Sequence, residues 1–74
     1  MTDKRVEIKG TSLNFPFGIV QNVYRHDYYT VVEYIGSNGW TYYMGYAGIA
    51  CSDVSCETHG QALAEAKALR ESMS

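Results

Sequence analysis

Proline, cysteine and positive charge are all scarce in this chain. The single proline, Pro16, leaves the rest of the backbone free to enter sheet or helix. The two cysteines, Cys51 and Cys56, are too few for the disulfide framework of a small secreted domain, so reduced thiols are expected. No apolar run approaches the roughly 18 residues that span a bilayer. Residues 1–10, MTDKRVEIKG, alternate charged and apolar side chains and lack the apolar stretch of a secretory leader. The expected location is therefore the cytoplasm, with no membrane partner. Six Lys plus Arg against eight Asp plus Glu leave a formal charge of -2, without the basic excess of a direct nucleic-acid binder. At 74 residues the chain makes one domain, 1–74, which buries about 60% of its unfolded surface and has no room for a large cofactor cavity.

What the chain does have is aromatic strand-forming sequence and one capped helix. Val6-Glu7-Ile8 alternates as a short edge strand does. Leu13, Phe15 and Phe17 keep that period across Pro16, which donates no backbone hydrogen bond, so the stretch is an edge or a loop that packs its rings. Residues 19–24 read as a strand and 25–27 as a turn. Residues 28–35, YYTVVEYI, are almost wholly β-branched or aromatic. Asn38-Gly39 is the strongest short hairpin signal, and Trp40 to Tyr46 is the partner strand. Residues 50–57 read as a loop. Thr58 then caps a helix, with Gln61 in the capping-box position and Ala62, Leu63, Ala66, Leu69 and Met73 at helical spacing. Strands followed by one helix predict an α+β fold: an antiparallel three- to four-stranded meander with a C-terminal helix on one face.

A two-residue turn at Asn38-Gly39 sets which side chains share a face. Tyr29, Val31, Glu33 and Ile35 then join Trp40, Tyr42, Met44 and Tyr46 under the helix. Tyr28, Thr30, Val32 and Tyr34 with Thr41, Tyr43, Gly45 and Ala47 form the other face, and a three-residue loop would undo this assignment. Since one helix cannot cover both faces, the second is expected to be open. It reads either as a wet sheet face with cross-strand aromatic pairs or as an interface. The number of tyrosines, seven in all, favours the interface.

The basic residues are Lys4, Arg5, Lys9, Arg25, Lys67 and Arg70, so the middle of the chain holds none. Asp27, Glu33, Asp53, Glu57 and Glu65 make that middle acidic. This is either ordinary solubilising charge or a surface suited to docking on a basic partner. The partner-binding residues expected on this basis are Tyr28, Tyr34, Tyr43, Asp27, Glu33 and Asp53.

Reactive constellations are sparse. Cys51, Cys56 and His59 are spaced C-x4-C-x2-H, but structural zinc takes four ligands, and His26 supplies a fourth only if the fold brings it close. A disulfide between Cys51 and Cys56 is open to a protein that meets oxidant. The same residues with Asp53 can be drawn as a Cys-His nucleophilic pair, yet so short a chain leaves little space for a substrate cleft. Gly45-Tyr46-Ala47-Gly48 lacks the lysine and spacing of a phosphate loop. No metal, cofactor or catalytic residue is assigned, and the chain is not expected to be an enzyme.

Gly48 and Cys51 in a loop, followed by Thr58, Ala62, Leu63 and Ala66 in the pattern T-x-x-x-A-L-x-x-A, resemble the N-terminal domain of HicB-type antitoxins. The likeness covers residues 39–69. The Pro-Asp-Leu-Pro-Gly segment of that family and a DNA-binding tail are absent. The resemblance implies a sheet-and-helix fold and, as one functional reading, an antitoxin-like or regulatory domain that dimerises through its sheet. In size, acidity and architecture the whole chain also resembles the small accessory proteins of phages and mobile elements, anti-CRISPR proteins among them. That resemblance implies a non-enzymatic inhibitor, which occupies a basic nucleic-acid-binding surface of a host defence complex and does not itself touch nucleic acid.

Overall fold

The computed structural model describes residues 5–8 and 11–73, with side chains from 15 to 73. Two short strands, β1 (Arg5–Ile8) and β2 (Thr11–Asn14), pair antiparallel as a separate ribbon. A four-stranded antiparallel sheet follows in the order β3 (Ile19–His26), β4 (Tyr29–Ile35), β5 (Thr41–Ala47) and β6 (Ala50–Cys51). One helix, α1 (His59–Met73), closes the chain. The fold is thus α+β, an antiparallel meander with one C-terminal helix, as the residue pattern predicts.

The β4–β5 hairpin departs from the two-residue turn. The Gly36 amide donates to the Trp40 carbonyl at 2.9 Å, and the Gly39 amide donates to the Gly36 carbonyl at 3.0 Å. Gly39 alone of the loop takes positive φ, at 85°. This is the three-residue hairpin loop, a turn followed by one left-handed residue. The Asn38 side chain favours it locally, since its Oδ1 accepts the Trp40 amide at 3.0 Å and its Nδ2 donates to the Tyr42 hydroxyl at 2.8 Å. The β3–β4 connection is a tighter, two-residue turn in which Asp27 carries a φ of 49°.

The extra loop residue shifts the pairing by one and turns β5 over relative to β4. Glu33 pairs with Tyr43, Val31 with Gly45 and Tyr34 with Tyr42. The expected face assignment is therefore corrected for β5: Tyr43, Gly45 and Ala47 lie with Val31 and Glu33 under the helix. Tyr42, Met44 and Tyr46 lie with Val32 and Tyr34 on the other side. Trp40, expected in the core, is 69% exposed.

Helix α1 lies over β5 and β4. Gly45 admits it: a Cβ there would sit 2.1 Å from the Ala62 carbonyl oxygen and 3.1 Å from the Ala66 Cβ. Ala62 and Ala66 are fully buried, and Val31, Cys56 and Ala62 form the packed centre of this layer with Tyr43 and Leu63. At the start of the helix the Gln61 amide donates to Thr58 Oγ1 at 3.2 Å, while the Gln61 side chain accepts the Glu57 amide at 3.3 Å. That reciprocal satisfaction of orphan amides is the capping box, with the return bond one residue early.

The opposite face is covered as well, which the sequence does not announce. Phe15, Val32, Tyr34, Met44 and Tyr46 are all buried there, flanked by Val20, Val23 and Cys51. Phe15 meets Tyr34 edge-on at 4.9 Å between ring centres. The segment after β6 crosses this face, where the Ser55 hydroxyl hydrogen-bonds the Tyr34 hydroxyl. Cys56 then pairs with Tyr43 through two backbone bonds and leads into the helix on the other side. Among the described residues no helix is long and apolar enough to cross a membrane.

Candidate functional site

Because the helix covers β4 and β5, the same side of β3 stays open beside it. Asn22, Tyr24 and His26 alternate along β3 and face that strip, through the pairs Asn22 with Glu33, Tyr24 with Val31 and His26 with Tyr29. Glu33 stands at its centre. Its Oε1 accepts from Asn22 Nδ2 at 2.7 Å and from the Tyr24 hydroxyl at 3.2 Å, and its Oε2 accepts from the Tyr43 hydroxyl at 2.8 Å. A carboxylate with this many donors is favoured in its charged form. The Asn22 bond, then the Tyr43 bond, hold Glu33 below the ordinary carboxylate range, with the Tyr24 bond and His59 adding to them. Both phenols respond in the opposite sense. The bond to Glu33 raises Tyr43, while loss of hydration, followed by the charge of Glu33, raises Tyr24.

His59, the first residue of α1, completes this ledge. Its ring lies 4.8 Å from that of Tyr24 and 6.1 Å from that of Tyr43. Its Nε2 is 2.8 Å from His26 Nε2, at the end of β3. The result is a polar, aromatic corner with one fixed negative charge, built from three strands and the start of the helix. Tyr24 remains 36% exposed, so the corner opens to solvent.

The structure unites only part of the expected interface. Glu33 and Tyr43 are directly bonded to each other. Tyr34 is 1% exposed and belongs to the core, so its expected place on an open sheet face is corrected. Asp27 and Tyr28 occupy the β3–β4 turn, and the guanidinium of Arg70 sits 4.4 Å above the Tyr28 ring. Asp53 lies beyond β6, at the opposite edge of the sheet from β3, with a φ of 59°. Asn22 and Tyr24 were not picked out by sequence reasoning, and His26 and His59 were named only as candidate partners of the two cysteines. The alternation of Asn22, Tyr24 and His26 along one strand was the available signal, but it becomes meaningful only once Glu33 lies opposite.

The two cysteines are likewise separated. Cys51 pairs with Tyr46 and packs in the layer of Phe15 and Tyr34, whereas Cys56 packs against Val31 and Ala62 under the helix. They lie on opposite sides of the sheet, which rules out the disulfide between them in this fold and breaks up the C-x4-C-x2-H set. Burial raises both thiols above their ordinary range, opposite to what a nucleophile needs. A shallow cavity of about 340 Å³ lies at the β4–β5 hairpin, between Phe17, Tyr34, Asn38 and Tyr42. It has no carboxylate or imidazole in its wall.

Comparison of the chain with protein-family models, with curated proteins and with solved structures finds no match.

Proposed function

We propose that this chain is a small non-enzymatic binding protein that inhibits by occupancy. Its target is a basic, nucleic-acid-handling surface on a host protein in the cytoplasm, as in the anti-CRISPR proteins it resembles. The observation that carries this reading is Glu33, held charged and immobile by Asn22, Tyr24 and Tyr43 on the strip of β3 that the helix leaves open. A fixed carboxylate flanked by phenol rings is a receptor for an arginine or lysine side chain. The carboxylate supplies the charge partner and the rings supply cation–π faces. Its rotamer is set before the partner arrives, so little ordering entropy opposes binding. Asp27, exposed at the turn that follows His26, adds a negative charge at the near end of the ledge. Trp40 and Ile19, 69% and 52% exposed, give apolar contact area at the other end of the sheet.

Capture from host lysate followed by nucleic-acid binding assays on the captured complex tests the reading. The wild-type chain is expected to abolish nucleic-acid binding at one equivalent, without consuming or altering the complex. Glu33→Gln is expected to weaken the inhibition by tenfold or more, about 1.4 kcal/mol. Asp53→Asn, at the far edge, should leave it unchanged. If the complex still binds nucleic acid under saturating protein, or if Glu33→Gln inhibits as well as wild type, the reading fails.

A further inference from the structure

The shallow cavity at the β4–β5 hairpin lies on the face opposite the helix, away from Glu33. Tyr34 is its floor, and the rings of Phe17 and Tyr42 stand 6.4 and 5.9 Å from that of Tyr34, centre to centre. Trp40 precedes Tyr42 by two residues, so it lies on the same side of the strand, and it is 69% exposed. Aromatic surface is thus concentrated at one end of one face. We propose that this cavity and Trp40 form a docking site for a proline-rich segment of a partner protein, held in the polyproline II conformation.

Hydrogen-bonding capacity selects the occupant. The Tyr42 hydroxyl accepts from Asn38 Nδ2, so its own proton is left to donate. The Tyr34 and Ser55 hydroxyls bond each other and use one of their two protons, which leaves the second. The Trp40 indole adds an N–H, a group that only donates. Two acceptors in the wall are already engaged: the Gly36 carbonyl takes the Gly39 amide, and Asn38 Oδ1 takes the Trp40 amide. The site therefore offers protons and asks for acceptors. Proline has a carbonyl and no N–H, and in polyproline II the carbonyls make no internal hydrogen bonds.

Charge and shape agree with this. No charged side chain is in the wall, so nothing there holds a phosphate or an ionic peptide. The volume of about 340 Å³ is at the low end of the roughly 300–1,000 Å³ of small binding pockets. Trp40 and Tyr42 are about 7 Å apart along the chain, and one polyproline II turn spans about 9 Å, so a single turn reaches from the cavity to the indole. The walls are set in advance. Asn38 fixes the Tyr42 hydroxyl, and that ring lies so close to Gly36 that a Cβ there would be 3.0 Å from it. A stiff ligand meeting a stiff site loses little entropy, which is how aromatic grooves capture proline-rich segments. This site shares no residue with the Glu33 ledge, so it stands whether or not that ledge binds a basic surface.

Acetylated decaproline is the probe, titrated into the full chain. The emission of Trp40, the single tryptophan, should shift to the blue, and amide resonances of Phe17, Tyr42 and Ser55 should move with the same saturation curve. Trp40→Ala should lower the affinity by at least about tenfold. Tyr42→Phe, which keeps the ring and removes the proton, should lower it about two- to tenfold. Both variants should keep the wild-type circular dichroism. Wild-type resonances around the cavity that do not respond to decaproline overturn the proposal whatever the variants do. Unchanged affinity in folded Trp40→Ala overturns it as well. So does maltose or adenosine moving the same resonances at lower concentration than decaproline, since the rings then hold a sugar or a base.

Discussion

Replacing Gly45 by alanine adds one methyl group where the helix backbone comes closest to the sheet. The new Cβ would lie 2.1 Å from the Ala62 carbonyl oxygen and 3.0 Å from its carbon. These are backbone atoms that cannot rotate away, so α1 must lift from β5 by about 0.9 Å or more. A gap of that size forfeits a quarter to a half of each dispersion contact across it. The contacts at stake are those of Val31, Cys56, Ala62 and Ala66, nearly all of the helix-side core. Overpacking of this kind costs about 1–3 kcal/mol, and the rigid neighbour places Gly45→Ala at the upper end. A chain of 74 residues has a total stability of about 4–11 kcal/mol, so about 3 kcal/mol is a large part of it. Gly60→Ala is the control. Its Cβ meets nothing within 4 Å, it lies in the first turn of α1, and alanine there should stabilise by about 0.5–1 kcal/mol. Urea denaturation followed by circular dichroism reads both. With a slope near the low end of the usual range, about 1 kcal/mol per molar, the Gly45→Ala midpoint should drop by about 2 M or more. A Gly45→Ala variant within about 0.5 kcal/mol of wild type would refute the close approach of α1 to β5.

Other consequences are as direct. Trp40, the single tryptophan, should emit like an indole in water and be quenched by iodide nearly as fast in the folded as in the unfolded chain; a shielded Trp40 would restore the two-residue turn. Thr58→Ala removes the acceptor for the Gln61 amide and should cost about 1 kcal/mol of stability in the same urea assay. Burial raises the Tyr34 phenol above its ordinary value and the Tyr46 phenol well above it. Because the folded value is the higher one, their stabilising contribution is complete below about pH 10 and shrinks as pH rises past it. Alkaline absorbance titration should therefore show these two phenols ionising only together with unfolding, and early ionisation of all seven tyrosines would contradict the Phe15 layer.

Much of the fold is legible in the residues. Residues 29–35 are strand-forming at nearly every position, Thr58 and Gln61 mark the helix start, and the spacing of Ala62 and Ala66 marks its buried side. The docking surface was legible only in part. Glu33 and Tyr43 stand out by type, but their mutual bond depends on which side of β5 Tyr43 faces. One loop residue decides that, because side chains alternate every second position along a strand. Tyr34 looks surface-worthy in sequence. It is buried because Phe15 and Ser55, distant along the chain, converge on it, and no local pattern encodes that meeting.

Local chemistry alone thus determined the central hairpin strands and the helix, their order, the acidity of the middle and the shortage of basic charge, since propensity, capping and charge are properties of neighbours in sequence. Arg25 and His26, expected in a turn, extend β3, and Ala50–Cys51, expected in a loop, forms β6 by pairing with β5. Tertiary structure alone decided which tyrosines are exposed, that Cys51 and Cys56 are kept apart by the sheet, and that His26 meets His59. Those outcomes depend on strand register and on where a helix too narrow to cover three strands comes to rest. Both are set by long-range packing: Gly45 admits the helix over β5 and β4, and β3 is left open to present Glu33.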